Sequence, residues 1–239
     1  MDWTIEIVKE KLLEIEAKGF IPIPSGTFRT DDGIVGQVLE REFGVAENNL
    51  HMADLGGTYE LKGMRQRKNK SNLTLFHQTS SSGLNPINIF DRFGYHRKSN
   101  RSDVMMKKLF TTIKGKRTNS LGFILKALNE DDIGLYYNDE YLATWDLTDA
   151  KQKISQVILA LAETQGAANS KTEKYHYNEV YLLSGVKNIS EAISKGSVVM
   201  DLCIDQPAGG SKAPHDRGPH IRIPVKKLGD LFESVTRIL

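Results

Sequence analysis

The sequence predicts an α/β fold, a mixed sheet flanked by helices, from three observations. Helical periodicity marks both ends of the 239-residue chain: Ile5, Val8, Leu12 and Ile15 near the start, and Leu228, Leu231, Phe232, Val235 and Ile238 near the close. Between them, short segments carry the two-residue alternation and β-branched content of strands. Within these, Asp54-Leu-Gly-Gly-Thr-Tyr-Glu60-Leu-Lys62 reads as two strands joined by a Gly-Gly turn. Helices at both ends of a strand-rich middle imply a sheet covered by helices.

Taken in order, the first helix stops at Gly19 and a Pro, Ser and Gly loop follows. Asp31 and Asp32 offer N-caps for a second helix, with Val35, Val38, Leu39 and Phe43 on its apolar face and Gly44 as its stop. Strands are expected at 50–54, 58–64, 73–77, 108–113, 122–127, 133–137 and 141–146. Ile154, Val157, Ile158 and Leu161 are spaced as a further helix, and Tyr175–Leu183 and Ser197–Asp205 read as strands ahead of the C-terminal helix. No repeat, low-complexity tract or linker interrupts the chain. Residues 1–239 are therefore expected to form a single domain, as one body or a core with a lobe, with a catalytic hairpin at 50–64 and a polar loop at 206–222.

Composition narrows the class. With 39% hydrophobic residues the chain can bury a substantial core, and no apolar run approaches the roughly 18 residues of a membrane span. The N-terminus, Met1-Asp-Trp-Thr-Ile-Glu, lacks the basic and apolar regions of a signal peptide, so a cytoplasmic location is expected. Cys203 is the one cysteine, which excludes an internal disulfide and a multi-cysteine zinc site. The net charge of +2 hides a polarised chain: lysines and arginines crowd the stretch from Lys62 to Arg117, where the only acids are Asp91 and Asp103. Residues 1–60 are the reverse. A protein with one polyanion-binding side has this distribution, although a solvated basic face produces charge runs too.

The hairpin supplies the chemistry. Side chains alternate across a strand, so Glu60 and Lys62 project from one face while Tyr59 and Leu61 turn toward a core, and the turn returns Asp54 beside them. Mg²⁺ takes hard oxygen ligands and keeps several waters, so Asp54, Glu60 and the Leu61 carbonyl would hold it and leave room for a phosphate. Such a metal polarises the phosphate and acidifies a water. A lysine beside it, Lys62, would orient or deprotonate the attacking water and offset charge on phosphorus. The expected chemistry is phosphodiester hydrolysis; an ordinary salt-bridged hairpin would carry the same residue types.

Two further features bear on this. On the second helix, Glu40 borders the apolar stripe and Glu42 lies nearer its centre; either would lean toward the hairpin as an added carboxylate, and periodicity does not choose between them. The polar stretch 206–220 holds Lys212, His215, Arg217 and His220, with Arg222 just beyond, side chains suited to phosphates and guanine edges. His215 and His220 suit a zinc site poorly, since only Cys203 or His77 would join them from afar.

Several blocks together carry a resemblance to a known family: Phe28–Glu40, Asp54-Leu-Gly, Glu60-Leu-Lys-Gly-Met-Arg65, Ser71–His77, Phe110–Gly115, Tyr141–Asp146, Met200–Asp205 and His215–Pro224. The chain resembles the MvaI/BcnI type II restriction endonucleases nearly end to end, and most closely the BcnI branch. The resemblance implies a PD-(D/E)xK, MutH-like nuclease fold with room for two lobes around a DNA cleft. It implies a Mg²⁺-dependent monomer that cuts both strands of DNA at a CC-N-GG site, in a host protected by a cognate methyltransferase. By position, Asp54, Glu60 and Lys62 fall on the catalytic triplet and Glu40 on the helix carboxylate; Ala53 stands where the motif has proline. His77, His220, Arg217, Arg222, Arg65 and Lys68 become the DNA-contacting candidates. Because neutral imidazole carries a donor and an acceptor, His77 and His220 favour G or C at the central pair, CCSGG, over A or T. A MutH-like nicking enzyme of mismatch repair and a non-catalytic DNA- or RNA-binding module are the rival readings.

Overall fold

In the computed structural model, residues 2–26, 31–45, 52–66, 72–99, 103–209 and 212–239 are described. In chain order the elements are α1 (Ile5–Ala17), β1 (Ile21–Pro22), α2 (Ile34–Glu42), β2 (Glu60–Arg65), β3 (Asn72–His77), β4 (Ser82–Gly83), α3 (Pro86–Phe93), β5 (Tyr95–Lys98), β6 (Met105–Ile113), β7 (Phe123–Ala127), β8 (Asp132–Tyr137), β9 (Glu140–Asp146), α4 (Thr148–Lys153), β10 (Gln156–Gln165), β11 (Lys174–Val186), α5 (Ile189–Ser194), β12 (Val199–Pro207), β13 (His215–Asp216), β14 (His220–Pro224) and β15 (Phe232–Arg237). A 3-10 turn at Val225–Asp230 precedes β15. The chain divides into two compact units, one of residues 1–71, 149–187 and 232–239, the other of 72–148 and 188–231.

The first unit is built on a five-stranded mixed sheet. Its order is β1-β11-β10-β2, with β15 sharing the β11 edge with β1. Among the described residues of this sheet only β10 and β2 run parallel, with Val157 beside Glu60 and Leu159 beside Lys62. Val8, Leu12 and Ile15 of α1 and Val35, Val38 and Leu39 of α2 pack with Leu61, Ile158, Tyr175 and Tyr177 in one core. Beside β2 the helix comes unusually close: a Cβ at Gly63 would lie 2.7 Å from Val35 O and 2.9 Å from Gly36 Cα. Glycine there lets α2 lie against an edge strand that would otherwise expose its backbone.

The second unit holds two sheets. A six-stranded sheet runs β3-β14-β12-β6-β5, with β13 also on β12, and a four-stranded sheet runs β4-β9-β8-β7. Among the described residues the strands of both sheets pair antiparallel. One face of the six-stranded sheet is apolar, with Leu73, Leu75, Leu109, Met200, Leu202, Ile204, Ile221 and Ile223 buried. The other face is polar and is described below.

Two expected helices are strands. Ile154, Val157, Ile158 and Leu161 have helical spacing, yet 156–165 is β10, buried on both faces as a central strand; a continuous apolar run fits either element, and sheet pairing decides it. The C-terminal periodicity likewise resolves into the 3-10 turn and β15, an edge strand held by backbone pairing with β11, so Val235 is exposed. Asp31 and Asp32 do not cap α2: its N-cap is Gly33, Asp31 accepts from Gly33 N at 2.9 Å, and Asp32 binds Arg65. The polar stretch 206–222 is shorter as a loop than expected, since β12 reaches Pro207, β13 occupies 215–216 and β14 begins at His220. Residues 52–54 form no strand, and the first two positions of that expected strand lie outside the described residues. The helices α3, α4 and α5 were not foreseen.

Replacing Gly63 by alanine should destabilise the protein by about 1–3 kcal/mol, because the methyl group drives α2 from β2. Urea unfolding at fixed pH checks this; an unchanged midpoint would mean that the helix moves away freely.

Candidate functional site

The hairpin closes through Asp54. Gly56 and Gly57 take positive φ angles of 60° and 77°, Leu55 N donates to Tyr59 O at 2.9 Å, and Leu61 N donates to Asp54 Oδ2 at 2.9 Å. This last bond has a second consequence. In a strand the N–H and C=O of one residue point the same way, so the Leu61 carbonyl also faces the outer edge of β2, away from β10 and toward Asp54. Even-numbered residues face β10 instead, as the bond from Gln66 N to Ala162 O at 2.8 Å shows.

Glu60 and Lys62 share the other side-chain face, and Glu60 is buried, 3% exposed. Lys62 Nζ donates to Glu60 Oε1 at 2.7 Å, whereas Glu60 Oε2 is buried and accepts no hydrogen bond. Lys153 Nζ stands 3.7 Å from Oε2, a charge contact too long for a hydrogen bond. Burial pushes the Glu60 carboxyl above the ordinary carboxylate range; Lys62 opposes that, Asp54 reinforces it, and Lys153 adds a smaller opposing pull. A buried carboxylate with an unsatisfied oxygen, a second carboxylate and an outward carbonyl form a hard-oxygen donor set that fits Mg²⁺. Lys153 was missed in the sequence because it lies far from the hairpin in a segment read as helical; only the pairing of β10 with β2 brings it there.

The helix carboxylates separate. Glu42 Oε2 is bound by Lys18 Nζ at 2.5 Å, which turns it toward α1. Glu40 lies one turn from Gly36, and a Cβ at Gly36 would stand 3.8 Å from both Glu40 Oε1 and Gly63 N, so Glu40 is on the side of α2 that meets β2. It does not complete a cluster: among the described residues no group of three or more His, Cys, Asp or Glu is placed to hold a metal ion.

Arg65 is not presented to a ligand. It is 7% exposed, donates from Nε and Nη2 to Glu173 at 2.7 Å each, and donates from Nη1 to Asp32 at 2.6 Å. The guanidinium holds the Glu173 carboxyl below its ordinary range, and the network fastens the end of β2 to the start of α2. Parts of the basic segment are engaged locally as well: Arg92 makes a bidentate pair with Glu140, and Lys107 donates to Asp91 O at 2.9 Å. Lys68 lies outside the described residues.

In the second unit the polar face of the six-stranded sheet collects the other candidates. Register places His220 of β14 opposite His77 of β3, with ring centroids 4.2 Å apart at 61°. His77 is exposed and His220 is 9% exposed, with Nδ1 buried and lacking a hydrogen-bond partner. Burial first, then His77 and the Arg222 and Arg217 charges, pushes His220 down to about 4, so this imidazole is neutral at pH 7. Arg222 Nη1 donates to Asp201 Oδ2 at 2.8 Å and Nε to Thr74 Oγ1 at 3.1 Å, while Thr112 Oγ1 donates to the other Asp201 oxygen at 2.5 Å. Arg217 reaches Asp205 at 3.2 Å and lies over the exposed Phe110 ring, 5.4 Å from its centroid. Both arginines are thus held by carboxylates with donors left over. His215 Nδ1 lies 3.8 Å from Asp205 Oδ1, and among the described residues no group of three or more His, Cys, Asp or Glu is placed to hold a zinc ion.

A histidine whose pKa falls on folding costs stability in acid. As pH drops below about 6.5 the unfolded chain takes up a proton that folded His220 refuses until about 4, so stability should fall across that window. NMR titration of the His220 imidazole should give a midpoint near 4; a midpoint at 6 or above would contradict the buried placement.

No helix among the described residues is long and apolar enough to cross a membrane. No curated protein matches the chain. Over 100% of both chains it is similar to a solved structure described as a restriction endonuclease MvaI-cognate DNA substrate complex, with 21% identity and a TM-score of 0.77. A second, restriction endonuclease MvaI in the absence of DNA, gives a TM-score of 0.52 at 21% identity over 100% of this chain and 99% of that one. The likeness gives the fold, a mixed sheet with helices like that of the MvaI structure. The family model described as the MvaI/BcnI restriction endonuclease family matches residues 9–232, nearly the whole length, and the chain belongs to that family.

Proposed function

We propose that the protein is a Mg²⁺-dependent type II endonuclease that cuts both strands of DNA at CCSGG. The observation that carries the hydrolytic reading is the grouping of Asp54, buried Glu60, the outward Leu61 carbonyl and Lys62 at one strand edge, within a family of restriction endonucleases. Asp54, Glu60 and the Leu61 carbonyl would hold the metal, which supplies Lewis-acid polarisation of a phosphate oxygen and a more acidic water. Lys62, tethered to Glu60 at 2.7 Å, orients the attacking water and offsets charge as the phosphorus becomes pentavalent. The water adds to phosphorus, the bond to the 3′ oxygen breaks, and the products are a 5′-phosphate and a 3′-hydroxyl. Glu40, on the α2 side that meets β2, borders this centre.

Binding and reading of DNA draw on the polar sheet face. Arg217 and Arg222, preset by Asp205 and Asp201, offer the forked donors that match guanine N7 and O6. The histidine pair supports G or C at the central position. A site met in either orientation presents guanine acceptors or the cytosine N4 donor, and a neutral imidazole answers both. His77 is the exposed partner that meets the base, and neutral His220 behind it lets the two exchange donor and acceptor roles. The similar MvaI structure is a complex with cognate DNA, which supports the same partner here. A cytoplasmic monomer paired with a methyltransferase completes this reading.

Incubating the protein with supercoiled and linear DNA and Mg²⁺, then sequencing the ends, tests it. Linearised product with ends confined to CCSGG is expected; accumulation of nicked circles would favour the MutH-like alternative, and cutting at A or T centres would overturn the histidine argument. Asp54→Ala, Glu60→Ala and Lys62→Ala should each reduce cleavage by on the order of 10²–10³ or more while specific binding persists, since affinity comes from phosphate and base contacts elsewhere. His77→Ala should cost about 1–3 kcal/mol of discrimination at the central pair alone.

A further inference from the structure

Glu60 is flanked by two lysines where hydrolysis as derived above uses one. Lys62 hydrogen-bonds Oε1 at 2.7 Å, and Lys153, closing α4, stands 3.7 Å from Oε2, the buried oxygen that accepts no hydrogen bond. The parallel register of β10 on β2, with Val157 beside Glu60, carries the end of α4 to this spot. A contact of that length contributes charge without satisfying the oxygen. Lys153 therefore sits on the side of Glu60 where a cation would bind, with its side chain 27% exposed and Glu60 at 4%.

Resting on the reading of Asp54 and Glu60 as metal ligands, we infer that Lys153 is a positioning residue that holds Glu60 against premature metal binding and makes tight metal uptake depend on DNA. The charge balance gives the reason. Asp54 and Glu60 are offset by Lys62 and Lys153 without a metal, and even with Glu40 at the border of the centre a divalent cation arriving alone leaves the site net positive. A phosphate beside the metal relieves that excess. Metal and DNA then strengthen each other's binding reciprocally. One unit charge a few ångströms from a dication changes affinity on the order of tenfold even at high effective dielectric.

Mn²⁺ binding to the full chain without DNA, followed by electron paramagnetic resonance, tests this on wild type, Lys153→Met, Lys153→Gln and Lys153→Arg. The two neutral variants should bind Mn²⁺ about tenfold more tightly than wild type, and Lys153→Arg should bind like wild type. With a cognate duplex added, the gap should narrow. Using two neutral variants of different polarity keeps the test open if one fails to fold, as judged by circular dichroism. Folded neutral variants that bind Mn²⁺ no better than wild type, including no detectable binding in any of them, would overturn the inference. Adding Glu60→Ala separates the two claims: if it abolishes Mn²⁺ binding while wild type and Lys153→Met stay equal, only the lysine inference fails. Binding that survives Glu60→Ala in the Lys153→Met background would overturn the metal assignment itself.

Discussion

A 2.9 Å hydrogen bond from Leu61 N to Asp54 Oδ2 ties the turn to the edge of β2, and the grouping of polar side chains in the first unit depends on it. The bond spends a backbone donor that would otherwise stand unpaired on a sheet edge, and it positions the first carboxylate in the same act. It also fixes the backbone so that the Leu61 carbonyl points outward while Glu60 and Lys62 share a side-chain face. The pairing of β10 with the other side of β2 holds this register, and the close glycine contact between α2 and Gly63 restricts the strand from the helix side. Acidic, carbonyl and ammonium groups thereby meet within a few residues of one strand.

The second unit meets the same constraint in a different way. Polar side chains on a sheet face are costly when unpaired, and here carboxylates absorb part of the donor capacity of arginines: Asp201 with Arg222, Asp205 with Arg217. Such pairing fixes a guanidinium before a ligand arrives and lowers the entropy lost on binding. His220 follows the opposite logic. Burial and neighbouring cations keep it uncharged, so the pair it forms with His77 has both donor and acceptor capacity at neutral pH. Charged arginines and a neutral histidine coexist because one group has acidic partners and the other does not.

Much of this was legible in the sequence because it depended on local spacing. Asp54, the Gly-Gly turn, Glu60 and Lys62 lie within nine positions, and strand alternation alone predicts their faces. Antiparallel strands of the middle region were also readable from alternation, as at β3, β8 and β9. The misses concern long-range pairing. The apolar run of β10 carries helical and strand signals at once, and only its place between β2 and β11 makes it a strand. Lys153 reaches Glu60 through that same pairing, so no local pattern could reveal it. Arg65 looked like a phosphate contact because its partners, Asp32 and Glu173, are remote in sequence. The ion pair between Lys18 and Glu42, which distinguishes Glu42 from Glu40, likewise joins residues remote in sequence.

The central claim, that one strand edge gathers the metal for phosphodiester hydrolysis, is tested most directly by anomalous diffraction from crystals of the protein with a CCSGG duplex and Mn²⁺. A Mn²⁺ peak is expected within coordinating distance of oxygens of Asp54 and Glu60 and of the Leu61 carbonyl, with the remaining positions filled by water and phosphate. A peak bound elsewhere, with Glu60 still held by its lysines, would contradict it.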